Sequence, residues 1–339
     1  MSNDDSHIRL TKKIEQIFSK AGFKTDRDVD VEVKENAAAK RLNLDVCAIY
    51  KEVLVIAECK ARSSLRFNDL VLEWATKKKI LEEGRVKVIR SAQKAIKTRS
   101  FKEIEEVSVL FAVENFEVTT EHTEYARSKK IHVWDATAIN YFLNTASALE
   151  IQTKYEIMKE LEVRPAETKK SITVPAIELK QPGGTCYLTA IDPPDLLKIA
   201  YVYRRSLGVK EAYQRIIKKK RIEEIAKFLS KSDSRLPNNI ILAFETDIRP
   251  KKEVKNELQI PIEYCSAWVV DGQHRLFGFN RTGYREEDKK FGIPVVAFTG
   301  LPTMDQARMF IDINNNQKKM DKTLLSDLMT VVKDLRQPL

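Results

Sequence analysis

One segment constrains this chain more than any other: Trp268-Val269-Val270-Asp271-Gly272-Gln273-His274-Arg275-Leu276-Phe277-Gly278-Phe279. A short β-favouring run meets a tight Asp-Gly turn, and a polar triplet then precedes an apolar-periodic helix start. The spacing predicts a strand–turn–helix junction. Such a junction aims backbone N–H groups and the positive end of a helix at one place, which suits an anion.

With 339 residues the chain exceeds most single cores, so two domains are expected. Hydrophobic content of 43% against 32% charged fits a soluble globular protein and argues against an extended disordered one. The net charge of +10 favours an anionic partner such as nucleic acid. Cys47, Cys59, Cys186 and Cys265 are scattered and none lies in a CxxC, which argues against a zinc ribbon and for reduced thiols. The polar, acidic start MSNDDSHIRL is no signal peptide, and no apolar run approaches the roughly 20 residues that span a membrane. A cytoplasmic protein with no membrane partner is expected.

Along the chain, helical spacing over 8–21 ends at Gly22. Val29, Val31 and Val33 alternate as a strand, Leu42 to Ala48 alternate again, and Val53–Ala57 reads as a buried strand. Helices are expected at 68–83, 86–98 and 136–161, with strands at 107–113 and 131–134. Residues 1–162 thus form one α/β unit, and the proline and mixed charge of 163–172 read as a linker. A second α+β unit follows over 173–339. Its strands at 173–190 are broken by Pro182-Gly183-Gly184, and Asp192 precedes a helix with prolines in its first turn. A basic helix is expected over 211–230, a surface excursion over 245–263, a strand at 293–298 and a helix from Met304. A last helix after Asp321 stops abruptly, as in a fragment of a longer chain.

Asp45 lies inside one strand, and Glu58 and Lys60 follow the end of the next. Period-2 alternation puts Glu58 and Lys60 on one face and Cys59 on the other. If the strands pair antiparallel, Asp45 approaches Glu58, and two converging carboxylates make a hard oxygen site for Mg²⁺. An adjacent lysine can orient water and hold charge on a phosphate. The plain alternative is a Glu–Lys surface pair after a buried strand. His122 and His132 lack partners at ligand spacing, and Trp74 and Trp134 read as core.

Leu44-Asp45-Val46 and Ala57-Glu58-Cys59-Lys60-Ala61 resemble the metal-binding aspartate and ExK of the PD-(D/E)xK restriction-endonuclease superfamily, Mrr-like branch, over residues 8–140. The resemblance implies a restriction-endonuclease-like mixed sheet flanked by helices and Mg²⁺-dependent DNA cleavage. In it Asp45 and Glu58 are metal ligands, Lys60 is the catalytic lysine, and Glu15 is an additional helix-borne acid.

At the Asp-Gly junction, Gly272 lets backbone approach a ligand, Gln273 and His274 offer hydrogen bonds, Arg275 offers a planar fork and Asp271 can cap the helix. The plain alternative is a capped turn with an arginine ion pair. The segment looks like the DGQHR-domain family, whose best-known members are DndB proteins of bacterial DNA phosphorothioation systems. The similarity extends to Tyr213-Gln214-Arg215, to Pro237–Leu242 and to the polar run after Phe310, Asn314-Asn315-Asn316-Gln317-Lys318-Lys319. DGQHR domains are in turn similar to the ParB/sulfiredoxin fold. That analogy implies a nucleotide or DNA phosphate held by Asp271, Gly272, Gln273, His274 and Arg275, with Asn315, Asn316 and Gln317 lining the pocket. No GxxxxGK is present, so ATP or another NTP would bind in this other way. Arg215, Lys218, Lys219, Lys220 and Arg221 read either as a DNA-facing patch or as a solvated helix face partly neutralised by Glu223 and Glu224.

Three functions follow. The first is a Mg²⁺-dependent DNA endonuclease of a bacterial defence or DNA-modification system, with the DGQHR domain sensing modified DNA or nucleotide. The second is a non-catalytic DNA-binding transcriptional regulator. The third is an NTPase seated in the DGQHR domain. A homo-oligomer is compatible with all three.

Overall fold

The structure, a computed structural model, describes residues 3–35, 38–163, 171–202, 219–231, 233–250, 256–280, 282 and 292–315. It is an α/β protein built on two mixed sheets.

The first sheet comprises β1 (Lys24–Glu35), β2 (Ala38–Tyr50), β3 (Val53–Ala61), β4 (Arg85–Arg90), β5 (Glu106–Glu114) and β6 (Ile131–Trp134), in the order β4-β1-β2-β3-β5-β6. β1 to β4 pair antiparallel; β3, β5 and β6 run parallel. Helices α1 (Asn3–Lys20), α4 (Ala136–Leu149) and α5 (Thr153–Glu160) cover one face, and α2 (Phe67–Glu83) and α3 (Thr120–Ser128) the other. This layering explains why β3 is a continuous apolar run. Val53, Val55, Ala57 and Cys59 pack towards α1, while Leu54 and Ile56 pack towards α2. Trp74 and Trp134 are fully buried, as expected.

β2 changes face midway. Leu42 and Leu44 pack under α2, but Val46 and Ala48 pack under α1. The switch falls where the β1–β2 register passes over Asp28 and Asp45, and Asp28 takes a left-handed φ of 50°. Asp45 therefore stands at a kink, not in a regular ladder.

The second sheet contains β7 (Ser171–Gln181), β8 (Gly184–Ile191), β9 (Ala200–Tyr201), β10 (Ile240–Phe244), β11 (Arg249–Pro250), β12 (Glu257–Pro261), β13 (Ala267–Asp271) and β14 (Ile293–Thr299). Its order is β11-β12-β7-β8-β14-β10-β13-β9. Helices α6 (Pro193–Ile199), α7 (Lys219–Leu229) and α8 (Gln273–Phe279) bury its inner face. Part of the outer face lies under α9 (Thr303–Asn315), through Met309, Phe310 and Ile313. α4 and α5 touch both halves. Leu149 joins the inner core of the second sheet, Tyr155 stacks on Tyr264 with ring centroids 5.2 Å apart, and Ile157 and Met158 stay in the first core.

Several expectations change. The predicted helix over 86–98 is an edge strand followed by a loop. Val86 and Val88 turn into the α2-side core, and buried Asp26 collects the loop's N–H groups. Its Oδ1 accepts from Arg27 and Gln93 at 2.9 Å, and its Oδ2 accepts from Ala95 and Ile96 at 2.9 and 3.2 Å. The helix expected over 136–161 breaks at Glu150, where φ is 51°. The supposed surface excursion contains β12, whose Leu258 and Ile260 are fully buried. Asp192 holds the N-cap position of α6 without a side-chain cap bond. The helix expected after Asp321 lies outside the described residues.

Burial pushes the Asp26 carboxyl up, but the N–H donors outweigh it and hold the group below its ordinary value. A lowered carboxylate contributes stability that is complete above its unfolded value and is lost as pH falls through the folded one. Asp26→Asn is accordingly expected to cost about 1.5–3 kcal/mol at pH 7. In urea denaturation the gap between wild type and variant should shrink on acidification below about pH 4. A gap independent of pH would contradict this account.

Candidate active site

Beyond the last β2–β3 ladder pair, Val46↔Ala57, Asp45 and Glu58 face each other across the strands. Both are nearly buried, at 7% and 8% exposed. Asp45 Oδ2 accepts the Cys59 N–H at 2.8 Å, which ties the kink in β2 to the end of β3. Lys60 Nζ donates to Glu58 Oε1. The pair opens on a cleft of about 680 Å³ whose walls are Lys40, Arg41, Leu42 and Asn43 of β2 and Glu73, Thr76 and Lys77 of α2. Lys77 bridges to Glu73 at 2.7 Å and lies 4.4 Å from the centre of the Trp74 ring.

Burial and then the neighbouring Asp45 charge raise the Glu58 carboxyl above its ordinary value, and Lys60 only partly offsets them. At the base of the cleft two nearly buried carboxylates face one lysine, a locally negative spot that a hard cation would relieve. Among the described residues no three His, Cys, Asp or Glu side chains form a metal cage. Two protein carboxylates with water completing the shell is the pattern that suits Mg²⁺.

Glu15 is not brought to this cleft. It pairs with Arg27 at 2.6 Å and also accepts from Gln93, so it braces β1 and the loop that follows β4. The residue α1 does bring to Asp45 is His7, which sequence spacing did not single out. His122 Nδ1 accepts the Thr119 N–H at the start of α3, and burial lowers the His132 imidazole to about 4.

In the second half, β13 ends at Asp271, Gly272 takes φ 99°, and α8 begins at Gln273. A Cβ on Gly272 would lie 3.0 Å from Ile240 Cγ1 and 3.1 Å from Arg275 Nη2, so the turn requires glycine. Arg275 folds back over it. Its Nη2 donates to Asp271 Oδ2 at 2.7 Å and to the Asn239 carbonyl at 2.9 Å, locking the start of α8 to β10 and β13. The guanidinium therefore serves as the turn's own ion pair. Gln273 and His274 are buried. Among the described residues Gln273 Nε2 has no hydrogen-bond partner, and beside it Val202, Trp268, Asp271 and Phe310 enclose about 10 Å³, room for one water. Lys219, Lys220 and Arg221 lie on the exposed face of α7 while Ile222 is buried. Asn315 closes α9; Asn316, Gln317, Arg215 and Lys218 fall outside the described residues.

Residues 174–327 match the family profile of DndB, described as DNA-sulfur modification-associated. This half of the chain is DndB-like. The DndB profile covers the Asp-Gly turn, α7 and most of the second sheet, and begins beyond the Asp45–Glu58 cleft. No curated protein matches the chain. Among solved structures, protein VC1899 from Vibrio cholerae is similar over 43% of this chain at 12% identity, with a TM-score of 0.28. The chain spans about a third (32%) of that protein, and a likeness of this size carries no argument. Among the described residues no helix is long and apolar enough to cross a membrane.

Two measurements check this geometry. Gly272→Ala forces a side chain into a left-handed turn against Ile240 and should lose about 2–4 kcal/mol in chemical denaturation. A loss within about 0.5 kcal/mol of zero would mean the turn relaxes freely. Glu58 has a raised folded value, so its ionised form lowers stability as pH climbs from the unfolded value through the folded one. Metal-free Glu58→Gln should therefore melt higher than wild type at pH 7 and about level with it below pH 4. A lower melting temperature at pH 7 would show the Lys60 contact dominating.

Proposed function

We propose that the protein is a divalent-metal-dependent DNA endonuclease of a DNA-modification-linked system, with the DndB-like half as its DNA- or nucleotide-sensing part. The observation that carries the reading is the convergence of Asp45, Glu58 and Lys60 at the base of one cleft with basic walls. Asp45 and Glu58 would hold the cation, which supplies charge neutralisation at the phosphate and a more acidic water. Lys60, beside Glu58, would orient a water for attack and balance the negative charge that builds on the phosphate. Lys40, Arg41 and Lys77 meet the flanking phosphates, giving salt-dependent affinity without sequence preference. Lys219, Lys220 and Arg221 form a second exposed basic patch, on α7 of the DndB-like half.

A second reading is a DNA-binding regulator that does not cut. It is favoured by the DndB match and by the Lys60–Glu58 pairing, which occupies the lysine. The inward Arg275 gives less support to phosphate turnover at the Asp-Gly turn, since its Nη2 is held by Asp271 and the Asn239 carbonyl and its Nε is buried.

Incubation of phosphorothioated and unmodified plasmid with Mg²⁺, with and without ATP, separates these readings. Wild type should nick or cut, and Lys60→Ala and Glu58→Ala should lose at least about 100-fold in rate. DNA binding with no cleavage under any condition supports the regulator, and equal cleavage by both variants would move the chemistry elsewhere.

A further inference from the structure

α1 reaches Asp45 through the His7 side chain. His7 Nδ1 lies 3.1 Å from the Cys59 carbonyl oxygen, and Nε2 lies 3.7 Å from Asp45 Oδ1. A carbonyl only accepts, so Nδ1 carries a proton. Nε2 attracts the Asp45 carboxylate when it carries the second proton of an imidazolium, and at 3.7 Å that contact is an ion pair, not a hydrogen bond. The Cys59 N–H is already given to Asp45 Oδ2. His7, Asp45 and the Cys59 backbone thus close a ring in which the residue between Glu58 and Lys60 is held at both its N–H and its carbonyl.

Rotating that backbone would swing Glu58 and Lys60 together, because both leave β3 on the same face. The helix that carries His7 is itself fixed. Leu10, Ile14, Ile17 and Phe18 are fully buried against β3 and α4, and Lys13 bridges to Glu114 of β5 at 2.6 Å. His7 is about one-third exposed and contributes little to the core, so its two polar contacts are what it supplies.

We propose that His7 is a positioning residue of the cleft, fixing the Cys59 peptide and the Asp45 carboxylate so that Asp45, Glu58 and Lys60 keep one geometry. The proposal rests on the nuclease reading of that cleft. Groups that orient metal ligands from behind typically contribute 10- to 100-fold in metal affinity.

The test measures Mn²⁺ binding by titration calorimetry and DNA cleavage for wild type, His7→Ala, His7→Asn and His7→Gln, with melting curves in chelator to compare folding. His7→Ala should bind Mn²⁺ about tenfold more weakly and show lower kcat with unchanged KM for DNA. Asn can place an amide N–H where Nδ1 stood, and should recover most of the loss. Gln sets its amide one bond further out, and should behave as Ala does; it replaces Ala if that variant fails to fold. Wild-type Mn²⁺ affinity in Ala or Gln, or an Asn variant no better than Gln, overturns the proposal. If wild type binds Mn²⁺ but never cuts DNA, the nuclease reading fails while the binding series still decides the role of His7. If wild type binds no Mn²⁺, both fall.

Discussion

The candidate site depends on one hydrogen bond, from the Cys59 N–H to Asp45 Oδ2 at 2.8 Å. It forms where β2 and β3 stop pairing regularly and β2 changes the face it turns to the core. On one side of it the strands are apolar on both surfaces and their register is fixed. On the other they diverge around a cleft. A carboxylate at this junction ends the ladder, satisfies a backbone donor that the ladder no longer pairs, and faces a second carboxylate in a partly dry setting. The raised Glu58 follows from that placement. Neither acid is needed to hold the sheet, which β3 secures through its apolar contacts with both layers of helices.

The same economy of contacts governs the junction between the halves. α5 lays Ile157 and Met158 into the first core and Tyr155 against Tyr264 of the second. The buried carboxylate of Glu156 accepts the Val202 N–H at 2.8 Å, and Asn280 donates to the Leu149 carbonyl at 2.9 Å. Tyr201, which pairs through β9 with the strand leading to the Asp-Gly turn, shares Glu245 with Lys159 of α5. A short helix thus belongs to two cores at once, and the strand that ends in Asp271 packs close to it.

The pairing of Asp45 with Glu58 and Lys60 was legible in the sequence because strand alternation and hairpin spacing are local signals. Those signals fail where long-range partners decide. Residues 86–98 carry helix-like spacing, yet Asp26, far away in the chain, collects their N–H groups and β1 takes Val86 and Val88 as an edge strand. Leu258 and Ile260 alternate inside a polar stretch, so β12 is masked by its exposed residues. The break at Glu150 carries no glycine or proline to announce it. Arg275 illustrates a different limit. Its sequence context is equally compatible with a fork turned to a ligand or to Asp271, and the tight fit of Gly272 against Ile240 and Arg275 accompanies the second choice. His7 had no periodic signal at all, since its role comes from where the first turns of α1 cross the end of β3.

The central claim is that Asp45 and Glu58 form a divalent-cation site at the base of the cleft. Anomalous diffraction from crystals soaked in Mn²⁺ tests it most directly. The account predicts a peak within about 2.0–2.4 Å of both an Asp45 and a Glu58 carboxylate oxygen, absent in crystals of Glu58→Gln. Density elsewhere in the molecule, or none at all in crystals whose cleft is open to solvent, would contradict it.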